Sequence, residues 1–95
     1  MNLNFLNELE ELLKERHKNR PAGSYTTQLY EAGVQKILQK VGEESIEYIL
    51  DAQLADKQKA VYEGADLLYH FMVSLVAQGW SLADIVSELE KRHKT

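Results

Sequence analysis

The chain has 95 residues, of which 44% are hydrophobic and 27% charged, with a formal net charge of −4, one proline and no cysteine. This length suits a single domain near the lower limit for a self-sufficient core, and the composition is globular rather than disordered. The missing cysteine excludes disulfides, thiolate metal sites and cysteine nucleophiles, the acidic balance argues against nucleic-acid binding, and no apolar run nears the roughly 20 residues that span a bilayer.

The acidic start, Asn2 to Glu11, is unlike a secretory signal, so a cytoplasmic protein without membrane partners is expected. Phe5, Leu6, Leu9, Leu12 and Leu13 repeat at helical spacing opposite Glu8, Glu10, Glu11 and Lys14, which predicts a first amphipathic helix over Met1 to Lys18. Arg20-Pro21-Ala22-Gly23-Ser24 breaks it. A short helix is predicted from Tyr25 to Ala32, ended by Gly33, and a longer one from Val34 to Gln53. The longer helix carries Val34, Ile37, Leu38, Val41, Tyr48 and Ile49 as one broad apolar face. Beside that face, Lys36, Lys40, Glu44, Glu47 and Asp51 make a polar stripe at about 100° per residue.

After a turn at Ala55, Asp56 is the expected N-cap of a helix running to about Gln78, where Gly79 supplies the stop. Ala60, Val61, Leu67, Leu68, Tyr69, Phe71, Met72, Val73, Leu75 and Val76 point in nearly every direction from its axis, which predicts burial all round. A chain this small cannot enclose such a helix alone, so a second copy is expected to cover one side. Ser81-Leu82-Ala83-Asp84 reads as a capping box, opening a last helix that packs Ile85, Val86 and Leu89 and ends near Arg92. The fold class is therefore all-α: one domain, residues 1–95, forming a helical bundle completed by homodimerisation or higher self-association.

Two acidic pairs interrupt this apolar pattern, Glu44-x-x-Glu47 and Glu63-x-x-Asp66. Counting outward from Ala55, Glu47 and Glu63 are each eight positions away, and Glu44 and Asp66 each eleven. Residues three apart share a helix face, and a short connection makes neighbouring helices antiparallel, so the four carboxylates can converge. Like charges so placed repel unless a cation intervenes, and hard oxygen donors without cysteine suit Mg²⁺, with Mn²⁺ as an alternative. The competing reading is a solvated edge paired with Lys36, Lys40, Lys57 or Lys59. Glu43 adds a fifth carboxylate, facing either the metal's water or solvent, and His70 reads as a hydrogen-bonded core histidine or as a group orienting Asp66. A carboxylate-held Mg²⁺ at a bundle edge suits phosphoanhydride hydrolysis. Lys36, Lys40, Arg20 and the hydroxyl-rich Ser24-Tyr25-Thr26 are the candidate phosphate contacts, with solvated lysines and helix capping as their ordinary alternatives.

Lys40-Val41-Gly42-Glu43-Glu44-Ser45-Ile46-Glu47, Tyr62-Glu63-Gly64-Ala65-Asp66-Leu67-Leu68-Tyr69-His70 and Gly23-Ser24-Tyr25-Thr26 together resemble the phosphoribosyl-ATP pyrophosphohydrolases of histidine biosynthesis. The similarity covers most of the chain, from about Ser24 to Arg92. The acidic motif alone belongs to the wider MazG-like all-α nucleotide pyrophosphohydrolases; the Ser-Tyr-Thr and Lys-Val-Gly elements point to the histidine branch. The resemblance implies Mg²⁺-dependent hydrolysis of 1-(5-phosphoribosyl)-ATP to 1-(5-phosphoribosyl)-AMP and pyrophosphate, in a dimer of helices. It implies Glu44, Glu47, Glu63 and Asp66 as metal ligands, with Glu47 and Glu43 the candidates for the base that activates water. Gly64 stands where the family's motif more usually has alanine, and the absence of a fused cyclohydrolase region predicts the pyrophosphatase step alone. A pyrophosphohydrolase of other nucleoside triphosphates, or a non-catalytic nucleotide-binding dimer, are the alternative readings.

Overall fold

The computed structural model describes residues 1–94, and among them every regular element is an α-helix. The five are α1 (Phe5–Asn19), α2 (Tyr25–Ala32), α3 (Val34–Gln53), α4 (Lys57–Ala77) and α5 (Leu82–His93). The first helix begins later than its periodicity suggests: Met1 to Leu3 are exposed, and Asn4 occupies the cap position. With no apolar partner for Met1 and Leu3, nothing offsets the cost of ordering another turn.

Local chemistry explains the joints. Arg20 closes α1 in the left-handed region, with its N–H on the Arg16 carbonyl at 2.8 Å, and Pro21 then prevents continuation. Ser24 caps α2 by accepting from the Thr27 N–H, and Gly33, at φ 97°, separates α2 from α3. The α3–α4 turn is a Schellman closure: the Ala55 N–H reaches Ala52 and the Asp56 N–H reaches Asp51. Ala55 adopts φ 57° there, a conformation that costs a non-glycine residue about 1 kcal/mol. Asp56 accepts from the Lys59 N–H at 3.1 Å, and the Ser81–Asp84 capping box forms in full.

The core is Leu13, Leu29, Tyr30, Ile37, Met72, Val73 and Val76, edged by Leu6, Leu9, Tyr69, Ala77 and Leu82. It lies where α1, α2 and the start of α3 meet the C-terminal half of α4. Tyr30 donates from its hydroxyl to the Leu13 carbonyl at 3.1 Å, and burial pushes that phenol far above its ordinary titration range. The Leu82 N–H donates to Glu10 at 2.6 Å, tying α5 to α1.

Within one chain, three apolar faces are only partly covered. The broad apolar face of α3 is split: Ile37 is buried, whereas Leu38, Tyr48 and Ile49 are exposed. The burial of α4 is confined to its second half, leaving Val61 at 61% exposure and Leu68 at 40%. The last helix buries no residue, and Val86 and Leu89 face outward. In each case apolar periodicity identifies a face, but five short helices cannot cover every such face. The radius of gyration, 14.5 Å, exceeds the roughly 12 Å of a compact domain this long, consistent with an incompletely enclosed hairpin.

Candidate metal centre

Antiparallel packing of α3 and α4 brings one carboxylate oxygen each of Glu44, Glu63 and Asp66 within 4.8 Å of one another. Glu44 is 6% exposed, and Glu63 and Asp66 are half-buried. Glu47 lies about 60° further round α3; it is exposed and meets Glu63 at the solvent rim. The mirror-spaced quartet thus consists of three inward groups and one outer one.

The protein itself does not satisfy this cluster. Glu44 Oε2 and Glu63 Oε2 are buried and have no hydrogen-bond partner. Loss of solvent, then the close approach and negative charge of Glu47 and Glu44, pushes the Glu63 carboxyl from 4.5 up to about 7. Among the described residues Lys40 is paired with the group, its Nζ 3.5 Å from Glu44 Oε1 and also 3.8 Å from the neighbouring Glu43 Oε1. Desolvation lowers the Lys40 pKa, but Tyr25, Glu44 and Glu43 together outweigh it and hold the ammonium above its usual range. Orphaned hard oxygens, a carboxyl driven to take up a proton and a single nearby ammonium fit a divalent cation of the Mg²⁺ type.

The remaining sequence-selected residues divide. Glu43 is exposed and accepts from Gln39 Nε2 at 3.0 Å; that bond, with Lys40 and Lys36, lowers its pKa, and it stands outside the three-carboxylate group. Lys36 is exposed one turn before Lys40. Ser24 is used as a helix cap, and Arg20 turns away to Glu31 at 3.3 Å and the His17 carbonyl at 3.0 Å. Tyr25 and Thr26 reach α4, to His70 Nε2 at 2.9 Å and to the Tyr69 hydroxyl respectively. His70 Nδ1 is 2.8 Å from the Asp66 carbonyl, which can only accept, so in the neutral ring Nε2 accepts from the Tyr25 hydroxyl. His70 is thus a satisfied core histidine, bonded to the backbone rather than the carboxylate of Asp66.

Sequence reasoning missed Tyr69, read there only as apolar, and a cavity of about 500 Å³ at the α3–α4 turn, walled by Asp51, Asp56, Gln58, Lys59, Tyr62 and Glu63. A polar stripe continuing past Glu47 to Asp51 was the available signal for the cavity.

Residues 6–93 match the phosphoribosyl-ATP pyrophosphohydrolase family. Among curated proteins, the chain is 44% identical over 91 residues to the histidine biosynthesis bifunctional protein HisIE of Bacteroides thetaiotaomicron, covering 96% of this chain and 45% of that protein. It is 46% identical to the protein of the same name from Vibrio cholerae, over 95% of this chain and 43% of the relative, and 48% identical to that of Bacillus subtilis, over 93% and 42%. The chain therefore spans less than half the length of these relatives. With the match extending over nearly all its residues and the acidic cluster falling inside it, the chain belongs to the phosphoribosyl-ATP pyrophosphohydrolase family.

Proposed function

We propose that residues 1–95 act as one domain that hydrolyses phosphoribosyl-ATP to phosphoribosyl-AMP and pyrophosphate in the cytoplasm, with Mg²⁺ as cofactor. The observation that carries this reading is the inward cluster of Glu44, Glu63 and Asp66 with two orphaned buried oxygens, set in a chain of this family. Glu44, Glu63 and Asp66 hold the cation, and Glu47 completes the set from the rim. Bound there, a divalent cation supplies Lewis-acid polarisation of phosphate oxygens and a lowered pKa for water.

The chain's own groups do the rest. Glu63 must lose its proton before it can serve as a ligand, so cation and proton compete for it. Glu47, exposed beside Glu63, is positioned to take the proton of the attacking water, with exposed Glu43 as the second candidate. The water oxygen joins phosphorus at the α–β anhydride, the bridging bond breaks, and pyrophosphate departs with the bridging oxygen or receives the new one. Lys40 and, further out, Lys36 offset the charge of the departing pyrophosphate, while Tyr25 and Thr26, anchored on His70 and Tyr69, fix the start of α2 beside them. Ser24 contributes by capping that helix, and Arg20 stays with Glu31 as a structural pair.

The same reading includes a homodimer. Leu38, Ile46, Ile49 and Leu50 are exposed on the side of α3 roughly opposite Glu44 at 100° per residue, and a second copy would cover them without closing the acidic side. No helix among the described residues is long and apolar enough to cross a membrane.

The test is pyrophosphate release from phosphoribosyl-ATP with Mg²⁺ and with chelator. Mg²⁺-dependent release is expected. Release from dCTP or dUTP with none from phosphoribosyl-ATP would overturn the substrate, and chelator-resistant turnover would overturn the cofactor.

A further inference from the structure

The carboxylate cluster has two different ends. Lys40 stands four residues before Glu44 on α3, and Lys59 four before Glu63 on α4. Because the helices are antiparallel, this shared spacing sends the two lysines to opposite ends of the cluster, about 16 Å apart along the seam at 1.5 Å per residue.

At the Lys40 end there is an ammonium beside Tyr25 and the start of α2. The Lys59 end instead opens into the cavity of about 500 Å³, and Glu63 belongs to both its wall and the cluster, so the two are continuous. That volume lies within the roughly 300–1,000 Å³ of small-molecule sites. Among the described residues the Lys59 ammonium enters no ion pair within 4.0 Å, whereas Lys40 enters two. Asp56, on the same wall, is occupied in capping α4. The Tyr62 ring is 68% exposed beside Glu63. Lys59 and Tyr62 lie within about 100° of Glu63 around α4, while Val61 and Leu68 of the bare apolar face lie at about 140–160°, so the cavity and that face point apart.

The substrate of the proposed reaction carries anions at both ends, the triphosphate at one and the 5′-phosphate of the added ribose at the other, with the scissile anhydride between the triphosphate's tail and the bulky nucleoside. We propose that the cavity at the α3–α4 turn is the subsite for the purine and its phosphoribosyl group, with Lys59 holding the phosphoribosyl 5′-phosphate. The substrate then lies in one direction along the seam: pyrophosphate at Lys40, the anhydride over the three carboxylates, and the base against Tyr62. Asp51, on the cavity wall, is an acceptor suited to ribose hydroxyls. Lys59 is on this assignment the group that separates phosphoribosyl-ATP from ATP. The assignment rests on the substrate reading above.

The test uses the full chain with saturating Mg²⁺, measuring KM and kcat for phosphoribosyl-ATP and inhibition by phosphoribosyl-AMP, AMP and pyrophosphate. Losing a charge-assisted contact, Lys59→Ala is expected to raise KM and the phosphoribosyl-AMP Ki about tenfold, with a much smaller fall in kcat. Pyrophosphate and AMP inhibition should barely move, and Lys59→Arg should restore most of the loss. Lys40→Ala should give the converse, weakening pyrophosphate more than phosphoribosyl-AMP. A Lys59→Ala chain with wild-type KM and phosphoribosyl-AMP Ki, or one weakened equally towards pyrophosphate, would overturn the subsite while leaving the reaction standing. Absence of phosphoribosyl-ATP turnover by the wild-type chain would remove the reaction itself, and the subsite with it.

Discussion

The two ends of the α3–α4 hairpin use similar helices to opposite effect. At one end Ile37, Met72 and Val73 are sealed by α1 and α2, and no more than 1% of any of them is exposed. At the other, Glu44 is as buried as a core residue while Ile46, Ile49 and Val61 nearby are more than half exposed. An ordinary core excludes unpaired charge and covers apolar surface; the turn end does neither. The other helices are gathered at the first end, which leaves the carboxylates of the second partly desolvated yet reachable from solvent, as the proposed cation site requires.

The largest expected effect separates these ends by substituting one buried residue from each. Glu44→Gln keeps the shape but removes the charge of a proposed ligand, and should lower kcat about 10³-fold or more with circular dichroism unchanged. Met72→Ala, at the sealed end, should cost about 2–5 kcal/mol of stability by leaving a cavity, with turnover per folded molecule close to wild type. Thermal melts and steady-state rates of both variants check the pair. A Glu44→Gln chain that keeps its turnover, or that melts like Met72→Ala, would make Glu44 a structural residue and erase the distinction.

Smaller, and specific to the open end, is the response to pH. In the metal-free folded chain the Glu63 carboxyl titrates at about 7, against an ordinary 4.5. Between those values the folded state holds more protons than the unfolded state. The stability Glu63 contributes is therefore complete below 4.5 and is lost as pH rises through about 7. Added Mg²⁺ should oppose the trend, binding more tightly as pH rises because it competes with the proton. Melting between about pH 5 and 8, in chelator and in Mg²⁺, measures both slopes. Glu63→Gln should flatten the chelator curve, and a wild-type Tm that climbed over this window in chelator would take Glu63 out of a shared carboxylate cluster.

How far the sequence foretold this molecule follows the same division. Helix existence and ends were legible because they are written locally: Gly33 and Asp56 mark joints, Ser81 and Asp84 make the capping box, and α2 and α3 run over the residues expected. The convergence of Glu44, Glu63 and Asp66 was legible in their spacing about Ala55. Depth was not. Whether Glu44 or Glu47 faces inward turns on about 60° of helix rotation, and whether Ile37 or Leu38 is core depends on where α1 and α2 happen to lie. In sequence Tyr69 looks like a packing residue and Tyr25 like a phosphate contact, and only tertiary structure reveals that Tyr69 bonds Thr26 and Tyr25 bonds His70.

The smallest expected effect probes the seam itself. Gly64 sits inside α4, next to Glu63, and a Cβ built there would meet Tyr48 Cδ1 and Cε1 at 3.6 Å, an ordinary van der Waals contact. Gly64→Ala should therefore add packing and restrict the unfolded backbone, a gain of about 0.5–1 kcal/mol that raises Tm by roughly 3–6 °C. Gly42, within α3, has nothing within 4 Å of its would-be Cβ, and at about 160° from Glu44 it lies on the bare apolar side. Gly42→Ala should earn the same helix propensity in a lone chain but lose association if a second copy approaches closely there. Melting both variants at high and low protein concentration distinguishes the faces: Gly64→Ala gains at either, whereas Gly42→Ala gains only when dilute. A lower Tm for Gly64→Ala at every concentration would mean that Tyr48 cannot yield, and that α3 and α4 are held closer at the cluster than ordinary packing requires.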